Sequence, residues 1–79
     1  MMEELNSMME NLEEGTLFRR VFVAHNSNNV LVLEQVLSNA LKFRVLQSDD
    51  SIFKLYEVVT YHKENFFDLL KWGLFEKIA

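Results

Sequence analysis

NVLVLEQVLSNAL, residues 29–41, decides how this chain is read. Val30, Leu33, Leu37, Ala40 and Leu41 recur at helical spacing, with Ser27 or Asn28 placed to cap the first turn. Leu31, Val32 and Val36 add apolar surface beyond that stripe, so the spacing predicts a helix that is largely buried.

The flanking segments take their reading from this one. TLFRRVFVAH, residues 16–25, is rich in aromatic and β-branched residues and reads as a strand. Leu17, Arg19, Val21 and Val23 fall on one face, and Phe18, Arg20, Phe22 and Ala24 on the other. KFRVLQS (42–48) and IFKLYEVVTYH (52–62) read as two further strands, joined by a turn at Asp49–Ser51 into an antiparallel hairpin. KENFFDLLKWGLFEKIA, residues 63–79, reads as a helix weakened in its middle by Gly73. At the other end, Met1, Leu5, Met8 and Leu12 keep helical spacing up to Gly15, which predicts a helix over 2–14. The expected fold is therefore α+β: one compact domain over 1–79, an acidic N-terminal helix and a body from 16 to 79. Its element order is α-β-α-β-β-α, with a three-stranded sheet packed with helices.

The stretch RRVFVAHNSNNVLVLEQVL, residues 19–37, resembles the opening strand–loop–helix of Toll/interleukin-receptor-like domains. That resemblance implies a strand, a polar loop and then a helix. No activity is carried over from it, because the chain next turns into a hairpin and leaves no room for the rest of that parallel sheet.

Composition bounds the function. Seventy-nine residues form one small domain, which buries a modest fraction of its surface. Without cysteine there is no disulfide or thiolate metal site, and two histidines are too few for zinc. Oligomerisation or partner binding is the remaining source of extra burial. Apolar runs such as Val30–Leu33 stop far short of the roughly 20 residues of a membrane span. No signal sequence is legible, so a cytoplasmic location is expected, the host cytoplasm if the gene is carried by a phage. Residues 1–15 hold five glutamates and no basic residue, whereas the remainder carries eight basic and seven acidic side chains. The acidity therefore belongs to one end, and a neutral body does not suit non-specific nucleic-acid binding.

Catalytic residues are not evident. His25 and His62 lack a serine or cysteine nucleophile system, and Gly15 and Gly73 are the only glycines, which leaves no phosphate-cradling loop. No cofactor or metal is expected. Candidate protein-interface residues lie at the two ends. On the C-terminal helix, Phe66, Phe67, Leu70, Leu74 and Ile78 share one arc, and Trp72 and Phe75 fall outside it as aromatic anchors. On the N-terminal helix, Leu5, Met8, Met9 and Leu12 form an adaptable apolar stripe, beside which Glu10, Glu13 and Glu14 address a basic partner.

These features point to a non-enzymatic protein-binding module, homodimeric, that inhibits or adapts a larger protein, consistent with a phage or mobile-element inhibitor of a host system. Two rivals come from other classes. One is a nucleic-acid-binding regulator using Arg19, Arg20, Lys42 and Arg44, although alternation sends the first two to opposite faces. The other is a small-ligand sensor using the HNSNN loop, residues 25–29, at the N-terminus of the expected helix.

Overall fold

The computed structural model describes residues 10–22, 27–48 and 53–79. Five strands and one helix follow in the order β1 (Leu17–Phe22), β2 (Ser27–Val36), β3 (Ala40–Gln47), β4 (Val58–His62), α1 (Lys63–Lys71) and β5 (Phe75–Lys77). The strands form one sheet, ordered β4-β3-β2-β1-β5, in which every neighbouring pair is antiparallel. The protein is thus mostly β with one short helix among the described residues. This overturns the expected α+β arrangement of three strands and several helices.

The decisive correction lies in residues 29–41, which are not a helix: residues 29–36 belong to the long central strand β2, residues 37–39 turn, and Ala40 and Leu41 open β3. Leu31 and Leu33 point into the core and are fully buried, while Val30 and Val32 stand half-buried on the opposite face. Opposite Leu33 and Gln35, β3 supplies Phe43 and Lys42, so Glu34 is the extra residue of a β-bulge. The bulge resets the alternation, and Val36 joins Leu33 on the core side. A strand with such a bulge places core residues three apart, which imitates helical spacing. Ser38 and Asn39 then turn the chain into β3, closed by the Leu37 N–H donating to the Ala40 carbonyl at 2.9 Å.

The expected C-terminal helix is also corrected, because it stops at Lys71. Gly73 has φ of +77°, a left-handed conformation that suits glycine. Its N–H donates to the Leu70 carbonyl at 3.1 Å, and the Leu74 N–H to the Leu69 carbonyl at 2.8 Å. These are the two bonds of a Schellman cap, with Trp72 as C-cap. The chain leaves the helix there and enters β5 against β1. β1 occupies 17–22, residues 23–25 of that expected strand lying outside the described residues, and β4 occupies 58–62, with residues 53–57 turn or irregular. Of the expected helix 2–14, residues 1–9 lie outside the described residues; Glu10 is helical, and residues 11–15 are turn or irregular.

The sheet curls around the helix. Phe66, fully buried, packs its ring against Phe18, Phe43, Tyr61 and Phe75 at centroid distances of 5.1, 4.8, 6.0 and 5.2 Å. Tyr61 and Phe75 belong to opposite edge strands, yet their rings lie 5.7 Å apart. Leu70, one turn after Phe66, extends the buried helix face over the concave side of the sheet.

Candidate interaction surface

Pairing registers place one row of side chains across the whole convex face. Ile78 lies beside Leu17, Leu17 opposite Val32, Val32 opposite Arg44, and Arg44 opposite Val58. Four of these five residues are apolar. Ile78 and Val58, at the two ends, are 44% and 41% exposed, and Leu17 and Val32 are half-buried. Beside the row, Arg19 pairs with Glu76 across β1 and β5. Arg44, inside it, is held by Glu34 from the bulge: Nε donates to Oε2 at 2.5 Å and Nη2 to Oε1 at 2.8 Å. The Arg44 guanidinium beside Glu34 lowers that carboxyl below its ordinary value, by hydrogen bonding first. The guanidinium is itself held charged by the same bond.

Arg44 also anchors the turn before β4. Its Nη1 donates to the Tyr56 carbonyl at 2.9 Å, and the Tyr56 N–H donates to the Val45 carbonyl at 2.8 Å. Tyr56 has φ of +66°, a strained value for a residue with a Cβ, and its side chain is 64% exposed. Leu46, Leu55, Tyr56 and Val58 gather exposed apolar surface at this corner of the sheet.

The residues expected from sequence are dispersed. Trp72 is exposed at the helix C-cap, whereas Phe75 is buried in the core on β5, so the two do not form one anchor pair. Leu12 packs against the core cluster. Glu10, Glu13 and Glu14 are exposed, and Glu14 accepts the Val36 N–H at 3.3 Å. Leu5, Met8 and Met9 lie outside the described residues.

The rivals' residues separate too. Arg19 and Arg20 take opposite faces, and the Arg20 guanidinium sits 4.9 Å from the ring centre of Phe53. Of the HNSNN loop, His25 and Asn26 lie outside the described residues; Ser27 opens β2 and Asn29 is fully buried within it. No helix N-terminus follows that loop, and the implied Toll/interleukin-receptor-like strand–loop–helix is a β-hairpin. The convex row itself escaped the sequence reading because it is visible only once β2 is taken as a strand. Val30 and Val32 alternating with Leu31 and Leu33 were its signal.

Among the described residues, no group of histidine, cysteine, aspartate or glutamate is placed to hold a metal, and no helix is long and apolar enough to cross a membrane. The described residues define a curled antiparallel sheet with one helix on its concave side. No known family, curated protein or solved structure matches the chain.

Proposed function

We propose that this protein is a non-enzymatic, homodimeric protein-binding module that inhibits or adapts a larger protein, and that the convex sheet face takes the target. The observation that carries the reading is the row Ile78–Leu17–Val32–Arg44–Val58. A sheet face turned to water ordinarily alternates toward polar residues. This one keeps leucine on β1, valine on β2 and β4 and isoleucine just after β5, and the Arg44 that β3 contributes is held by Glu34, as Arg19 is by Glu76. An apolar centre edged by polar groups is the common anatomy of a protein interface.

The test compares the tagged protein with Val32→Lys and Ile78→Lys in capture from its natural cellular source. Lysine at either position can carry its charge into water, so the fold is expected to persist by circular dichroism. A target retained by the parent and lost by both variants supports the reading. Capture unaffected by both substitutions, or no captured protein at all, refutes it.

A further inference from the structure

The edge strand β4 carries information about a second partner. The Glu57 carbonyl accepts the Val45 N–H at 3.0 Å, and the Lys63 N–H donates to the Asn39 carbonyl at 3.0 Å. In an antiparallel ladder, alternate residues turn both backbone groups toward the same neighbour. Val59 and Tyr61 therefore turn both groups toward β3, opposite Phe43 and Leu41, between the Glu57 carbonyl and the Lys63 N–H. Val58, Thr60 and His62 turn theirs outward, and all three residues are exposed. His62 is the helix N-cap, so its carbonyl serves the first turn of α1 while its N–H remains at the edge.

Natural sheets protect such an edge with lysine, proline, a bulge or a covering element. VVTYH contains no lysine or proline, and its pairing with β3 shows no register shift. The opposite edge, β5, is only three residues long and carries Glu76 and Lys77.

We propose that a second copy of this chain occupies the β4 edge, pairing antiparallel about a two-fold axis at Thr60 and joining the two sheets into one. This assignment rests on the binding-module reading and names the partner of one of its surfaces. Self-complementarity carries it, as a two-fold interface requires. The register opposes Thr60 to its own copy, Val59 to Tyr61 of the partner copy, and Val58 to His62 of the partner copy. Threonine pairs and aromatic–β-branched pairs are favourable across strands, and no like charges meet. About four backbone hydrogen bonds close between the copies.

Solution mass across a dilution series tests this directly, by light scattering and sedimentation equilibrium. The parent should show twice its 9.4 kDa chain mass. Thr60→Pro removes an N–H that faces outward, so it costs the monomer no ladder bond. Thr60→Lys sets like charges at the axis. Each should weaken dimerisation at least about tenfold while leaving circular dichroism unchanged. Val59→Pro, by contrast, removes an N–H bonded to β3 and should unfold the chain. Thr60→Cys places two thiols about 5.5 Å apart by Cα in a hydrogen-bonded pair, within disulfide reach. The chain has no other cysteine, so oxidation should cross-link Thr60→Cys rapidly and Trp72→Cys slowly.

A parent that stays monomeric overturns the proposal. So does a dimer unaffected by either Thr60→Pro or Thr60→Lys, or a Thr60→Cys variant that cross-links no faster than Trp72→Cys. The two readings fail separately. Monomeric parent protein that still captures a Val32-dependent target removes the edge pairing and the homodimer but leaves the target-binding face. A dimer that responds as stated but captures nothing removes only the target reading.

Discussion

Gly73→Ala gives opposite results for a continuous helix and for the chain path described above. In a helix interior, alanine is more stable than glycine by about 0.8–1.0 kcal/mol, so the substitution would stabilise a helix running through residue 73. In the structure, Gly73 has φ of +77°, and a Cβ built there meets nothing within 4 Å. Packing therefore contributes no penalty, and the whole effect is conformational. Holding an L-residue in the left-handed region costs about 1–2 kcal/mol. The expected result is destabilisation of that size, or a fall in Tm of roughly 4–16 °C for a domain of this length. Urea denaturation should show a lower midpoint with an unchanged m-value, since the same surface is exposed on unfolding. D-alanine at position 73, accessible by chemical synthesis, adopts the required φ without strain and should restore or raise stability. Stabilisation by L-alanine would refute the Schellman cap and, with it, the departure into β5.

The remaining predictions separate core from surface and fix the signs of two titrations. Phe75→Ala should cost about 3–5 kcal/mol in chemical denaturation, as for a buried aromatic, whereas Trp72→Ala should stay within about 0.5 kcal/mol. Because Arg44 holds the Glu34 carboxyl below its ordinary 4.5, that group contributes stability above its unfolded value and loses it as pH falls through the folded one. The stability difference between the parent and Glu34→Gln should therefore shrink below about pH 4.5, and also in 1 M salt, when both are followed by urea midpoints. Burial raises the Tyr61 hydroxyl above its ordinary 10.0, against a smaller lowering by Arg20. Its contribution is full below the unfolded value and disappears as pH rises past it, so the parent should lose stability relative to Tyr61→Phe above about pH 10.

Parts of this fold were legible residue by residue. TLFRRVFVAH shows its two faces, with Arg19 and Arg20 on opposite sides, because no bulge interrupts the alternation of β1; the structure adds that the Phe18 face is the inner one. KFRVLQS likewise alternates Phe43 and Val45 against Arg44, and the structure turns the first two inward. The helical spacing of Val30, Leu33, Leu37, Ala40 and Leu41 arises from a strand, a turn and the next strand: Val30 and Leu33 lie on opposite faces of β2, and Ala40 and Leu41 belong to β3. In sequence Gly73 reads as a helix defect, since sequence alone does not reveal whether a glycine has positive φ. The convex row and the β4 edge followed the same rule. Each depends on cross-strand register, which exists only after strand order is known.

Glu34 links these features physically. As the extra residue of a bulge it returns Val36 to the core, and its carboxylate stands beside Arg44 on the convex face. Arg44 also donates from Nη1 to the Tyr56 carbonyl, at the one described non-glycine residue with positive φ. That turn sets where β4 begins, and so which of its backbone groups face β3 and which face outward. A chain from Glu34 through Arg44 to Tyr56 thus ties the apolar convex row to the unprotected edge. That bulge is the feature that aligns the two proposed binding surfaces.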